Sequence, residues 1–461
     1  MCGILGIHAP GRDVARLAYF GLFALQHRGQ ESAGIAVSDG GRVTALRDMG
    51  LVTQVFSEQK LRGLRGQAAI AHCRYSTTGA ARWANAQPIG HHGPARTVAL
   101  GHNGNVVNAA SLREELASGG AKLRSTSDTE VIAALLAHDA RPLETAVAAA
   151  IERLEGAFTV VLLAEGKLVG FRDRHGIRPL VVGDLDGDAL LASETCALDL
   201  LGAEHVRDVE PGELVVVDAD GRRASHAVEA KDEAALCIFE FIYFARPDSR
   251  LRGVELHGAR VRMGERLAKE APAEADVVIP IPDSGTPAAI GFARASGIPF
   301  NEGLIKNRYV GRTFIQPDQA LREHGIKTKF NPLTEIQGQR IVVVDDSIVR
   351  GTTTRQIVAT LLEEGASEVH VRVSSPPIVS PCFYGIDMAS EGELIGAGRT
   401  IDEVRDAIGA TSLAYLSLEG LQAATRRPET TFCRACLTRR YPTRVPAGLA
   451  LAKHRFELAR P

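Results

Sequence analysis

The run Ile341-Val342-Val343-Val344-Asp345-Asp346-Ser347-Ile348-Val349-Arg350-Gly351-Thr352-Thr353-Thr354 decides how the second half of this chain folds. Four β-branched apolar residues in succession suit a strand buried on both faces. Two carboxylates follow at its C-terminal end, which is where open α/β sheets bind ligands. Gly351 and three threonines then lead into a helix predicted over residues 353–364, with Gly365 as its C-cap. The same pattern occurs upstream. Residues 276–281 predict a strand and Pro282-Asp283-Ser284-Gly285-Thr286 a turn. Pro287 suits a first helical position, and Gly297 ends that helix. Residues 369–373 predict the next strand. Two βα units in succession imply a parallel sheet covered by helices.

The first half has another texture. Short apolar runs at residues 3–7, 34–37, 68–71, 98–100, 158–163 and 214–217 are broken by glycine and have the length of strands. Helical patterns interrupt them at residues 14–26 and 129–138, the second with Asp128 as its expected N-cap. Many strands with few helices predict a sheet-rich α+β domain. At 461 residues the chain is too long for one core. We expect one domain over residues 2–230 and another over 231–461, with the junction in 232–253.

Composition narrows the class. Hydrophobic content of 45% and charged content of 23% are those of a soluble globular protein. A net charge of −2 provides no general attraction to nucleic acid or an anionic membrane. The apolar run 158–164 is far too short to span a bilayer. No basic region followed by an apolar stretch opens the sequence, so no signal peptide is expected. Seven irregularly spaced cysteines argue against a disulfide framework and for a reduced, cytoplasmic protein.

Met1-Cys2-Gly3-Ile4-Leu5-Gly6-Ile7 reads plainly as a strand with a small buried cysteine. Its position supports a sharper reading. Removal of Met1 would place a free α-amine, with a reference pKa near ~8, beside the thiol as its general base. A nucleophile attacking a carboxamide needs fixed donors for the oxyanion. Gly101-His102-Asn103-Gly104-Asn105 has a side-chain amide and backbone N–H groups in what reads as a tight loop. A guanidinium suits the substrate's carboxylate, and Arg74 is the candidate; Asp128 is the candidate for its ammonium. In the second half, backbone N–H groups, threonine hydroxyls and a helix dipole after Asp345-Asp346 suit a phosphate monoester. The carboxylates suit a ribose diol or hydrated magnesium. The basic stretch 306–329 is a candidate lid that excludes water. Cys433-Arg434-Ala435-Cys436 is open to zinc, a redox pair or an iron–sulfur cluster. A redox pair is disfavoured because the motif does not read as opening a helix after a strand. Spacing does not choose the remaining ligands.

Residues 2–230 resemble the glutamine amidotransferases of the N-terminal nucleophile class, with a layered αββα fold. The resemblance rests on Cys2-Gly3-Ile4, His27-Arg28-Gly29-Gln30-Glu31-Ser32-Ala33-Gly34, residues 74–79, Asn85-Ala86-Gln87-Pro88, residues 101–105 and Ser127-Asp128-Thr129-Glu130. It implies Cys2 as nucleophile, Asn103 and Gly104 as oxyanion hole, and Arg74 and Asp128 as glutamine anchors. Ala84 departs from the family, which often has an acidic residue there, and touches none of these roles. The run opening this section resembles the signature of type I phosphoribosyltransferases. That implies phosphoribosyl pyrophosphate bound by Asp345, Asp346, Ser347, Arg350, Gly351, Thr352 and Thr353. Magnesium would lie at Ser284, Asp345 and Asp346. The two halves together resemble the amidophosphoribosyltransferase family, and in particular its iron–sulfur-containing branch. The implied reaction makes 5-phosphoribosylamine, glutamate and pyrophosphate, the first committed step of de novo purine biosynthesis. The resemblance further implies one 4Fe–4S cluster per chain on Cys237, Cys382, Cys433 and Cys436, with Cys73 and Cys196 as packing residues. It also implies a homotetramer inhibited by purine nucleotides. A non-catalytic regulator built on the phosphoribosyltransferase fold, or an amidotransferase with another acceptor, would lack Cys2 or the Asp345-Asp346 run.

Overall fold

The computed structural model describes residues 1–76, 79–228, 234–307, 329–388 and 390–445. The expected domain boundary, residues 77–78 of the Arg74 segment and most of the candidate lid lie outside these residues.

The first half has thirteen strands: β1 (Gly3–His8), β2 (Ser32–Ser38), β3 (Val43–Met49), β4 (Ala68–Arg74), β5 (Ile89–His92), β6 (Thr97–Val106), β7 (Gly156–Ala164), β8 (Lys167–Arg172), β9 (Val181–Leu185), β10 (Asp188–Ala192), β11 (Glu204–Asp208), β12 (Glu213–Val217) and β13 (Arg223–Ala227). They form two antiparallel sheets, ordered β11-β9-β10-β1-β4-β2-β3 and β13-β12-β8-β7-β6-β5. Helices α1 (Val14–Ala24), α2 (Ala109–Ser118), α3 (Asp128–His138), α4 (Leu143–Arg153) and α5 (Thr195–Leu201) cover them. Strand alternation explains the layering. Ile4 of β1 and Val161 and Leu163 of β7 meet between the sheets. Leu5 and Ile7 face α1 and α5, while Phe158, Val160 and Leu162 face α2, α3 and α4. Both faces are buried, which is why these strands read as apolar runs. The result is the expected αββα arrangement.

In the second half β14 (Leu236–Cys237) precedes α6 (Leu256–Glu270), β15 (Val277–Pro280) and α7 (Thr286–Ser296). Then come β16 (Arg340–Asp345), α8 (Thr352–Glu363), β17 (Glu368–Val373), α9 (Ile401–Ile408), β18 (Ser412–Tyr415) and β19 (Phe432–Cys433). The parallel sheet runs β15-β16-β17-β18. Val342 and Val344 face α6 and α7; Ile341 and Val343 face α8 and α9. Three cap expectations need correction. Thr286 precedes Pro287 in α7, and α8 runs one residue earlier than expected, with Glu364 rather than Gly365 at its C-cap. Ser127, not Asp128, caps α3, its side chain accepting from the Thr129 N–H. The serine hydroxyl performs the capping that was assigned to its neighbour.

Glycine sets the α6–α7 contact. A Cβ on Gly264 would lie 1.8 Å from the Ala288 carbonyl oxygen, and one on Gly291 would lie 1.9 Å from that of Val261. Helix propensity alone would make Gly291→Ala stabilising by about 1 kcal/mol. Overpacking against backbone costs about 1–3 kcal/mol. We therefore expect Gly291→Ala to lower the thermal midpoint by several degrees in differential scanning calorimetry; an unchanged or raised midpoint would show that the helices can separate.

Candidate active sites

Cys2 lies at the entrance of β1, whose register pairs Gly3 with Cys73 of β4. Its backbone N–H donates to Asn103 Oδ1 at 2.9 Å, and its carbonyl accepts from Arg28 Nε at 3.0 Å. Its Sγ accepts from the Tyr75 N–H at 3.5 Å. The structure retains Met1, so this N–H is an amide. Burial pushes the Met1 amine down to about 5, with Arg178 and Arg28 adding to the effect and Cys2 and Glu240 opposing it. The Met1 amine itself is therefore held neutral.

Asn103 and Gly104 are not in a loop. They belong to the extended strand β6 and pair with Thr159 and Phe158 of β7. Glycine, histidine and asparagine are weak strand formers, which hid the strand in the sequence. Asn103 is fully buried, and its Nδ2 has no hydrogen-bond partner. A buried amide donor left unmatched is costly and points to a ligand group absent from the chain itself. Gly104 has a φ of +147°, and a Cβ there would lie 2.0 Å from the Ala157 carbonyl oxygen. Only glycine fits. Burial pushes His72 of β4 down to about 3 and lowers His102 of β6, so both imidazoles are neutral.

The two anchors are buried beside this pocket. Arg74 ends β4 and donates to the carbonyls of Ala80 at 3.0 Å and Gly79 at 3.1 Å. Glu31 lies 3.7 Å from it and accepts from the Ser76 N–H and hydroxyl. Asp128 Oδ2 accepts from the Val106 N–H at 3.0 Å. Its Oδ1 accepts from the Ser127 hydroxyl at 3.3 Å, and its Oδ2 lies 3.8 Å from His102 Nδ1.

The second constellation is at the C-terminal end of β16. Burial raises the Asp345 and Asp346 carboxyls, and Asp346 further raises Asp345. Such a pair calls for a cation or a diol. Asp345 Oδ1 accepts from the Asp346 N–H at 2.9 Å, and the Ser347 hydroxyl donates to Asp346 at 2.6 Å. Ser284, from the turn after β15, also holds Asp346. The sheet thus brings together two loops more than fifty residues apart in sequence. Gly351, at φ +74°, turns the chain into α8, where Thr352 and Thr353 are exposed. Arg350 pairs with Glu393, a partner the sequence did not reveal.

The four candidate cluster cysteines gather where the halves meet. β14 and β19 are parallel, with Cys237 opposite Cys433. The Cys436 carbonyl accepts from Val379 and Ser380, next to Cys382. Cys237, Cys382 and Cys433 all raise the Cys436 thiol electrostatically, after burial as the main cause. Among the described residues, no three or more His, Cys, Asp or Glu side chains are grouped to hold a single metal ion. One expectation is corrected: Cys433 ends a strand and Cys436 lies in a short helix, Ala435–Thr438, so the motif does open a helix after a strand. Its other thiol neighbours, rather than its local structure, now weigh against a simple redox pair. Cys73 and Cys196 are buried elsewhere, and burial pushes the Cys73 thiol up to about 12. Both behave as packing residues.

Comparison with known proteins finds both kinds of domain. The family model described as a glutamine amidotransferase domain matches residues 72–200, and that described as a phosphoribosyl transferase domain matches residues 257–375. The amidophosphoribosyltransferase of Mycobacterium bovis is 51% identical over 470 residues, covering 99% of this chain and 89% of its own. That of Archaeoglobus fulgidus is 49% identical, covering 97% and 99%. The structure of glutamine phosphoribosylpyrophosphate amidotransferase from Bacillus subtilis, complexed with ADP and GMP, superposes with a TM-score of 0.91 at 44% identity, covering 97% of this chain and 98% of that one. Among the described residues no helix is long and apolar enough to cross a membrane. This chain belongs to the amidophosphoribosyltransferase family.

Proposed function

We propose that this chain converts glutamine, phosphoribosyl pyrophosphate and water into 5-phosphoribosylamine, glutamate and pyrophosphate, opening de novo purine biosynthesis. The observation that carries the reading is the unmatched, buried Asn103 Nδ2 beside Cys2, in the same chain as the Asp345-Asp346 pair. With Met1 removed, the Cys2 amine takes the thiol proton. Sulfur attacks the glutamine carboxamide, and the oxyanion forms against Asn103 Nδ2 and the Gly104 N–H. Arg74 and Asp128 fix the substrate's carboxylate and ammonium. The C–N bond breaks, ammonia leaves with the amine's proton, and water hydrolyses the thioester to glutamate. Ammonia then attacks C1 of the phosphoribosyl group as pyrophosphate departs. Asp345 and Asp346 hold the ribose hydroxyls, and residues 347–353 hold the 5-phosphate. Transfer inside the protein matters because ammonia released into neutral water is mostly protonated and no longer a nucleophile.

Two groups complete the reading. Ser284, Asp345 and Asp346 would hold magnesium, which would supply charge for the departing pyrophosphate. The donor set of four thiols at the junction fits a 4Fe–4S cluster, which needs four cysteines around a body larger than one ion. On this reading the cluster pins the tail to the junction. We extend to this chain a cytoplasmic location, a homotetrameric state and inhibition by purine nucleotides. The nucleotides bound to the Bacillus subtilis relative support the last of these.

Cys2→Ala should lower glutamine-dependent synthesis by at least about a thousandfold and leave ammonia-dependent synthesis intact; parallel assays with each nitrogen donor check this, and loss of both would contradict the division of labour. Asn103→Ala should cut the glutaminase kcat by about 100- to 1000-fold, with a much smaller change in KM for glutamine. Protein purified without oxygen should be brown and contain about four iron and four sulfide per chain. Stoichiometric zinc without iron would overturn the cluster.

A further inference from the structure

The geometry points to Glu393 as a positioning residue of the phosphoribosyl pyrophosphate site, acting through Arg350. This inference rests on the reading of residues 345–353 as that site. Arg350 Nε donates to Glu393 Oε2 at 2.8 Å, and its Nη2 contacts the same oxygen. Both groups are about half exposed, and an ordinary exposed pair of this kind contributes little because two long side chains must be held still. Here the carboxylate is already held still.

One contact holds the carboxylate directly, and two more hold the turn that carries it. The Ser390 hydroxyl donates to Glu393 Oε1 at 2.9 Å. The neighbouring Glu391 accepts from Arg439, which follows Cys436 in the C-terminal segment, so the turn Glu391–Glu393 is anchored from its far side. The Ile395 N–H donates to the Val349 carbonyl at 2.9 Å, and a Cβ on Gly351 would lie 2.3 Å from Ile395 Cδ1. Residues 393 and 395 are therefore seated on either side of the Val349-Arg350-Gly351 bend. Its neighbours agree with a permanent charge: Arg350 and Ser390 hold the Glu393 carboxyl below the ordinary range, against a smaller opposing effect of burial.

The consequence is directional. A carboxylate that engages the Nε and Nη2 edge of a guanidinium fixes its plane and leaves the Nη1 edge to face the loop's anion. Without Glu393, Arg350 samples many rotamers, and the anion must restrain it on binding. The loss should fall on substrate affinity rather than on bond breaking.

The test is a double-mutant cycle on the full-length protein with ammonia as nitrogen donor. Glu393→Gln should raise KM for phosphoribosyl pyrophosphate by about three- to tenfold while kcat changes by less than about twofold. Glu393→Asp should recover part of the loss. Arg350→Ala should raise KM more, and adding Glu393→Gln to it should raise KM no further. Circular dichroism and the thermal midpoint of each preparation report its folded fraction. An unchanged KM in Glu393→Gln, or additive effects in the double variant, would overturn the positioning role. If Arg350→Ala itself left KM unchanged, the site reading beneath the inference would fail instead.

Discussion

The structure depends on one buried ionic node. Arg28 is fully buried and uses all three nitrogens: Nε on the Cys2 carbonyl, Nη1 on Glu194 and Glu240, and Nη2 on Glu240 at 2.8 Å. Glu194 also accepts from Ser249 and from the Arg246 N–H, and it pairs with His27. Arg178 lies 3.6 Å from Glu240 and donates to the Tyr384 carbonyl. Charges removed from water are tolerated only when every hydrogen-bonding position is matched, and leaving one partner unpaired costs about 3–5 kcal/mol. Burial alone would raise Glu194, but His27 and Arg28 override it and hold the carboxyl well below the ordinary range. A depressed carboxyl stabilises the fold above its unfolded pKa, and that stabilisation is lost only as pH falls through the lower folded value. The node therefore persists at any neutral pH. It fixes the backbone of the proposed nucleophile from residues that belong to the junction.

The junction is also tied by backbone. The Ala235 N–H donates to His175 and the Cys237 N–H to Ile177, so the second half begins by pairing with a loop of the first. Asp173 holds that loop by accepting from the N–H groups of His175 and Ile177. β14 then pairs with β19 near the end of the described chain. A thiol on each of these two strands makes the start and the end of the second half ligands of the same proposed group. This accounts for a cluster at the junction.

Where one strand or loop carries a whole signal, the sequence was legible. Ile341 to Val344 announced a buried strand, and Asp345 and Asp346 announced the ligand end of the sheet. Gly3 and Cys73 meet through strand register and Asn103 reaches Cys2 from the other sheet, neither of which spacing encodes, so the sequence offered the parts of the first site but not their assembly. The helix α6 escaped notice because Gly258, Gly264 and three arginines interrupt its apolar pattern, although Gly264 and buried Arg260 are packing devices. The pairing of Arg28, Glu194 and Glu240 depends on three segments far apart in sequence, so no local pattern marks it. Glu393 was hidden for the same reason. Local chemistry is written in the chain; partners across the fold are not.

The two sites share a wall, and this gives the ammonia step a physical basis. The Ser374 N–H donates to the Asp345 carbonyl at 2.9 Å, at the edge of the phosphoribosyl constellation. From there the chain passes Cys382 and reaches the other site, where the Phe383 carbonyl accepts from Asn105 and Asp387 accepts from the Tyr75 hydroxyl. Gly385 meets Gly104 backbone to backbone, so a Cβ there would lie 3.0 Å from the Gly104 carbonyl oxygen. A single run of chain thus starts on the carboxylate strand and ends against the proposed oxyanion glycine. A displacement at either end is felt at the other through covalent bonds and a few hydrogen bonds. The same run carries Cys382 and supplies the Tyr384 carbonyl that Arg178 holds, so the ionic node and the cysteine group restrain its middle. A continuous, restrained segment between the two proposed sites is what internal transfer of ammonia requires of the chain.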